Sequence, residues 1–129
     1  MNDDPAPTAL SNLAVIRGPV PNDPLPRDLP SGRVVVQFDV VTRVESGGRE
    51  VNVSVPVAWH EPTSTQLGAI VAGVDVVVVG TVRRRFFRVG GSTQSRTELV
   101  AGAVIPARRR KQVDAALRGA AERLLEGVA

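Results

Sequence analysis

The chain has 129 residues, enough for one domain that buries a core without covalent staples, and it contains no cysteine and a single histidine. Disulfides and thiolate metal sites are therefore excluded, a zinc site is disfavoured, no cofactor is implied, and a cytosolic setting is the expectation. The net charge of +3 is unevenly placed, because residues 1–64 hold five arginines against eight acids while residues 65–129 hold eleven basic residues against five acids.

Residues 1–10, MNDDPAPTAL, carry two prolines, two aspartates and almost no large apolar side chain, which predicts a mobile tail. They include no basic residue, and no apolar run in the chain approaches bilayer length, so secretion and membrane insertion are both disfavoured. Asn12–Val20 reads as a first strand with Leu13 and Val15 on one face, ended by Pro19. Pro19, Pro21, Pro24, Pro26 and Pro30 then crowd the segment up to Gly32. Each proline removes a backbone donor, so this segment is expected to be a loop or stiff connector through which no ladder runs.

Arg33–Arg43 alternates, with Val34, Val36, Phe38 and Val40 on one face and Arg33, Gln37, Asp39 and Arg43 on the other. Ser46-Gly47-Gly48 signals a turn, and Arg49–Trp59 returns with Val51, Val53, Val55, Val57 and Trp59 inward. These two strands form a predicted hairpin, and Pro56 implies an edge or a bulge near its end. Thr63 and Gln66 have the spacing of a capping box, so a short helix is expected over Thr63–Ala72, weakened by Gly68 and stopped at Gly73. Val74 to about Phe87 is the fourth strand, with a bend or bulge at Gly80; Gly90-Gly91-Ser92 forms the tip, and Arg96–Ile105 returns as the fifth strand. From Ala107 the period becomes helical, with Val113, Leu117, Ala120 and Leu124 on the predicted packing face. That helix opens on Arg108-Arg109-Arg110-Lys111, cations placed against its own macrodipole.

The densest signal is VDVVVVGTVRRRFFR, residues 74–88, where a buried strand runs into three consecutive arginines, two phenylalanines and a fourth arginine. A charged run does not belong in a core, so Arg83, Arg84, Arg85 and Arg88 are expected to project on an exposed extension. Adjacent strand residues point to opposite faces, so at most one of Phe86 and Phe87 can face the core. Cations beside exposed rings match the phosphates and unstacked bases of a flexible nucleic-acid strand, although a basic hairpin equally serves protein contacts or solubility. No catalytic set accompanies it: His60 lacks the context of a known motif, and Gly90-Gly91 lacks the lysine and helix of a phosphate loop. The pattern therefore predicts a mainly β protein, a five-stranded barrel of the oligonucleotide-binding (OB-fold) type, with a short helix between strands three and four and an added C-terminal amphipathic helix. The domain boundaries expected are a tail at 1–10, the OB-fold domain at 11–107 and the helix at 108–129.

In this order the segments resemble the bacterial single-stranded DNA-binding protein family. The resemblance rests on N-L-A-V-I-R-G from Asn12, Asp23-Pro24, L-P-S-G at Leu29–Gly32 and V-V-Q-F-D at Val35–Asp39, then on Gly73–Gly80, R-R-R-F-F-R, and T-E-L-V-A at Thr97–Ala101. It covers about Asn12 to Pro106. It implies sequence-independent binding of single-stranded DNA in replication, recombination or repair, a homo-oligomer (tetramer or dimer), no enzymatic activity, no small-molecule substrate, and a cytoplasmic, nucleoid-associated location. The contact residues expected are Arg33, Arg43, Arg49, Arg83, Arg84, Arg85, Phe87 and Arg88. Of the family's several stacking aromatics only Phe87 is kept, with Val51 and Val57 at two other positions and the fourth near Ser46. Where the family carries a tail with an acidic tip this sequence has the amphipathic helix, and the alternative reading is an oligomeric OB-fold protein-interaction module with little or no DNA affinity.

Overall fold

The computed structural model describes residues 11–126 and Val128, so the tail expected at 1–10 lies outside the described residues. In chain order the elements are β1 (Ala14–Pro19), β2 (Leu25–Asp28), β3 (Val34–Ser46), β4 (Arg49–His60), α1 (Ser64–Gly68), β5 (Asp75–Val89), β6 (Ser92–Pro106) and α2 (Arg110–Leu125). The hairpin of β3 and β4 forms in the register that the alternation predicts, with Val36 opposite Trp59, Phe38 opposite Val57 and Val40 opposite Val55. These side chains, with Val20, Ile70, Val76, Val78 and Leu99, build the main core, where the Phe38 and Trp59 rings meet edge to face at 6.3 Å.

The sheet differs from the expected five-stranded closed barrel. Among the described residues it has six strands in the order β1-β5-β6-β4-β3-β2 and is open, with β1 and β2 as its edges. The additional strand arises in the proline-rich segment, where Pro26 pairs with Val36. An edge strand needs hydrogen bonds on one side only, so a proline whose missing N–H would face solvent is tolerated. At the other edge β1 crosses β3 closely without joining its ladder: a Cβ on Gly18 would collide with the Val41 carbonyl. Pro19 and Pro21 follow at once and offer no donors with which to extend pairing there.

Among the described residues the one parallel pairing, β4 with β6, spans only Val57–Trp59 against Leu99–Ala101. Pro56 thus falls where β4 is still an edge, as its missing donor requires. Upstream of this short pairing each hairpin runs on as a two-stranded ribbon. Val44, Val51 and Val53, though on the core-facing side, are exposed, because no facing layer reaches them. The inward placement expected for Val51 and Val53 is therefore corrected: the alternation gave the right face, but the core ends before it.

The capping box at α1 is present on both sides, with Gln66 N–H donating to Thr63 Oγ1 at 3.1 Å and Thr63 N–H donating to Gln66 Oε1 at 2.9 Å. The helix stops at Gly68, short of the expected Ala72, and delivers Leu67 and Ile70 to the core. Helix α2 covers the outer face of β5, where Val113, Ala116 and Ala120 pack against Val77 and Val79. Ala120 is 2% exposed whereas Leu117 is 39% exposed, so the buried stripe is centred on the alanines and not on Leu117 and Leu124 as expected. The small side chains permit close approach, and the leucines flank the contact.

Candidate nucleic-acid interface

The β5–β6 ribbon departs from simple pairing at one point. Val79 faces Ala103 but Gly80 faces Ala101, leaving Gly102 as the extra residue of a bulge. The bend or bulge expected at Gly80 falls there, with the extra residue on the opposite strand, and Gly80 is required because a Cβ there would collide with the Val100 carbonyl. Beyond the bulge the register is unbroken to the tip, where Val89 faces Ser92.

Strand alternation then gives the ribbon two chemically different faces. One carries Val82, Arg84, Phe86 and Arg88, opposite Leu99, Thr97, Ser95 and Thr93. The other carries Arg83, Arg85 and Phe87, opposite Glu98, Arg96 and Gln94. On this second face the charges are largely met. Arg83 Nη2 donates to Glu98 Oε1 at 2.7 Å, with the Glu98 side chain only 3% exposed, and Arg96 lies 3.8 Å from the Asp39 carboxylate. The Arg85 guanidinium sits over the half-buried Phe87 ring at 5.8 Å, within cation–π range. Its Nε is buried without a hydrogen-bond partner among the described residues. On the first face Arg84 has no ion-pair partner among the described residues, and Arg88 Nη2 donates to the Gly91 carbonyl at 3.1 Å, which leaves its charge uncompensated.

The remaining expected contacts divide by position. Because β4 and β6 run parallel, the turns at Gly47-Gly48 and Gly90-Gly91 leave the core on the same side. Arg43 and Arg49 lie on the β3–β4 ribbon near its turn. Arg43 is 3.6 Å from Glu50 and 3.4 Å from the Asn52 side-chain oxygen, while Arg49 is exposed opposite Ser46. Arg33 precedes β3 at the other end, 3.9 Å from Glu61, and is not brought to the ribbons. Of the two valines that the resemblance sets at stacking positions, Val57 is buried in the core and Val51 is exposed. Two features are absent from the sequence reading: Glu98 as a buried partner, and Phe86 as the more exposed of the two rings. The first was readable, since a two-residue turn at Gly90-Gly91 sets Glu98 directly opposite Arg83.

No protein-family model and no curated protein matches the sequence. Among solved structures the chain is similar to the Plasmodium falciparum SSB complex with ssDNA, at a TM-score of 0.62 and 18% identity, over 81% of this chain and 97% of that chain. The fold is therefore similar to the OB fold of that SSB, with six strands in the sheet among the described residues and two ribbons that extend from one end of the core.

Proposed function

We propose that the protein is a non-enzymatic, sequence-independent binder of single-stranded DNA, held by the β5–β6 ribbon and by the arginines near the tip of the β3–β4 ribbon. The observation that carries this reading is the coincidence of charge and aromatic rings on an extension that contributes almost nothing to the core: Arg84, Arg85 and Arg88 interleave with the exposed Phe86 and the half-buried Phe87. Guanidinium groups neutralise phosphates in a forked geometry, and rings stack unpaired bases without regard to sequence. The likeness of fold to an SSB supports the same reading. Arg84, Arg85, Phe87 and Arg88 are the central contacts, with Arg43 and Arg49 continuing the track. Arg83 holds the ribbon through Glu98, and Arg33 is outlying. Assembly into a dimer or tetramer, a cytoplasmic, nucleoid-associated location, and a role in replication, recombination or repair belong to the same proposal.

The test is fluorescence anisotropy of a labelled oligo-dT across a salt series. If four to six phosphates are neutralised, log K against log salt has a slope of about −3 to −4, from roughly −0.7 per phosphate on a single strand. A slope near zero, or no binding at low salt, overturns the reading. A second reading, a module that binds another protein, is favoured by one observation: Leu117, Leu124 and Leu125 are exposed along α2. It predicts that substitutions on α2 abolish capture of the partner while oligo-dT binding is negligible from the start.

A further inference from the structure

We infer that the face of the β5–β6 ribbon bearing Phe86, opposite to the one bearing Phe87, is a second base-stacking surface for single-stranded DNA. The inference deepens the proposed function and rests on it. Phe86 is 64% exposed, the most exposed large aromatic position available on a ribbon whose other ring is half-buried beneath Arg85. Arg84 and Arg88 stand two residues to either side of it on the same face, each about 7 Å away along the strand, so that the two cations flank the ring about 13 Å apart. Across the ribbon this face presents Thr97, Ser95 and Thr93, short hydroxyl side chains that leave the ring uncovered.

Charge complementarity selects the occupant. The Phe87 face carries its own carboxylates, with Glu98 on Arg83 and Asp39 near Arg96, which repel phosphate and hold part of the cationic charge. The Phe86 face carries no carboxylate from Val82 to Val89 or from Ser92 to Thr97. A protein partner would also bury an exposed ring, but a ring set between two arginines without a counter-charge matches alternating base and phosphate. With a stacking ring on each face, the strand passes over the ribbon's edge or two segments of one strand occupy both faces.

The experiment uses the full chain. Trp59, the only tryptophan, is 5% exposed in the core and provides a constant background, so Phe86→Trp introduces a reporter on the ribbon. Addition of oligo-dT is expected to quench the new emission. Phe86→Ala is expected to weaken oligo-dT binding by roughly 5- to 150-fold, the range for one lost stacking platform, with an unchanged melting temperature. Phe87→Ala measured alongside reports the other face. If wild type and Phe87→Ala behave as DNA binders differing in affinity while Phe86→Ala binds like wild type and Phe86→Trp is not quenched, the inference fails and the proposed function stands. If wild type itself does not bind oligo-dT, the proposed function fails and the inference with it. If Phe86→Ala changes the sedimentation mass and not the affinity, the ring belongs to a contact between copies of the chain, and the inference is overturned.

Discussion

Removing Arg83 should damage the fold more than the DNA affinity, and removing its partner should do much less harm. The pair is asymmetric: the Glu98 side chain is 3% exposed, while that of Arg83 is 47% exposed. Truncating Arg83 strands a carboxylate where water cannot reach it, and deleting one member of a buried pair costs about 3–5 kcal/mol. Glu98→Gln instead leaves Arg83 able to turn into solvent and replaces an ion pair by a hydrogen bond from the charged guanidinium to a neutral amide oxygen, a loss of about 1–2 kcal/mol. At about 4 °C per kcal/mol for a domain between the small and large size classes, Arg83→Ala should melt about 12–20 °C lower than wild type and Glu98→Gln about 4–8 °C lower. The double variant Arg83→Ala/Glu98→Gln should recover most of the difference, because the stranded charge is gone. Thermal unfolding by circular dichroism and a urea series on the four proteins of this cycle measure the coupling directly. An Arg83→Ala protein that melts with wild type but has lost oligo-dT binding would refute the assignment and return Arg83 to the phosphate contacts.

Gly80→Ala should destabilise by about 3 kcal/mol or more, since the added methyl meets the Val100 carbonyl and the Leu99 side chain where the bulge brings β6 closest; a wild-type urea midpoint would contradict the geometry. Ala120→Asp places a carboxylate between Val77 and Val79 and should cost several kcal/mol, whereas Leu117→Asp, on the exposed flank, should stay within about 1 kcal/mol unless the leucines are covered by another chain, which sedimentation mass would reveal. Salt should act with opposite sign on the two states: up to moderate concentration it should raise the melting temperature of the protein alone by screening the arginines of the ribbon, and lower that of its complex with oligo-dT, and a rise in both would argue against phosphate pairing.

The parts of the fold written in the sequence are those set by alternation and by turn length. The β3–β4 register follows from the strict spacing of Val36, Phe38 and Val40 against Val55, Val57 and Trp59, because a slip of one residue would turn each of these to solvent. The β5–β6 register follows from Gly90-Gly91, whose positive φ angles of 56° and 84° permit the two-residue turn. What alternation cannot convey is where the facing layer ends, so Val51 and Val53 look like core in the sequence and are exposed in the fold. The proline-rich segment hid β2 because a missing donor excludes a central strand but not an edge. In α2 the apolar arc is wider than the surface it covers, and the half bearing Val113, Ala116 and Ala120 packs because small side chains allow the helix nearest to Val77 and Val79.

The site shows the same division between what residue types announce and what placement decides. Three consecutive arginines and two rings are equivalent in the sequence, yet they alternate across a ribbon one face of which lies toward acidic neighbours. Arg83 and Arg96 find Glu98 and Asp39 there, so each spends charge on holding the ribbon. Arg84 and Arg88 point the other way and keep theirs. A ribbon with every arginine uncompensated would repel itself and splay, while one with every arginine paired would offer phosphate nothing. Splitting the cations between the faces meets both demands with a single short motif: the paired side stiffens a two-stranded extension that has no core beneath it, and the unpaired side remains available to an anionic strand. Because the two rings fall on opposite sides of that division, their relative contribution to binding is the quantity that reports which face the strand follows.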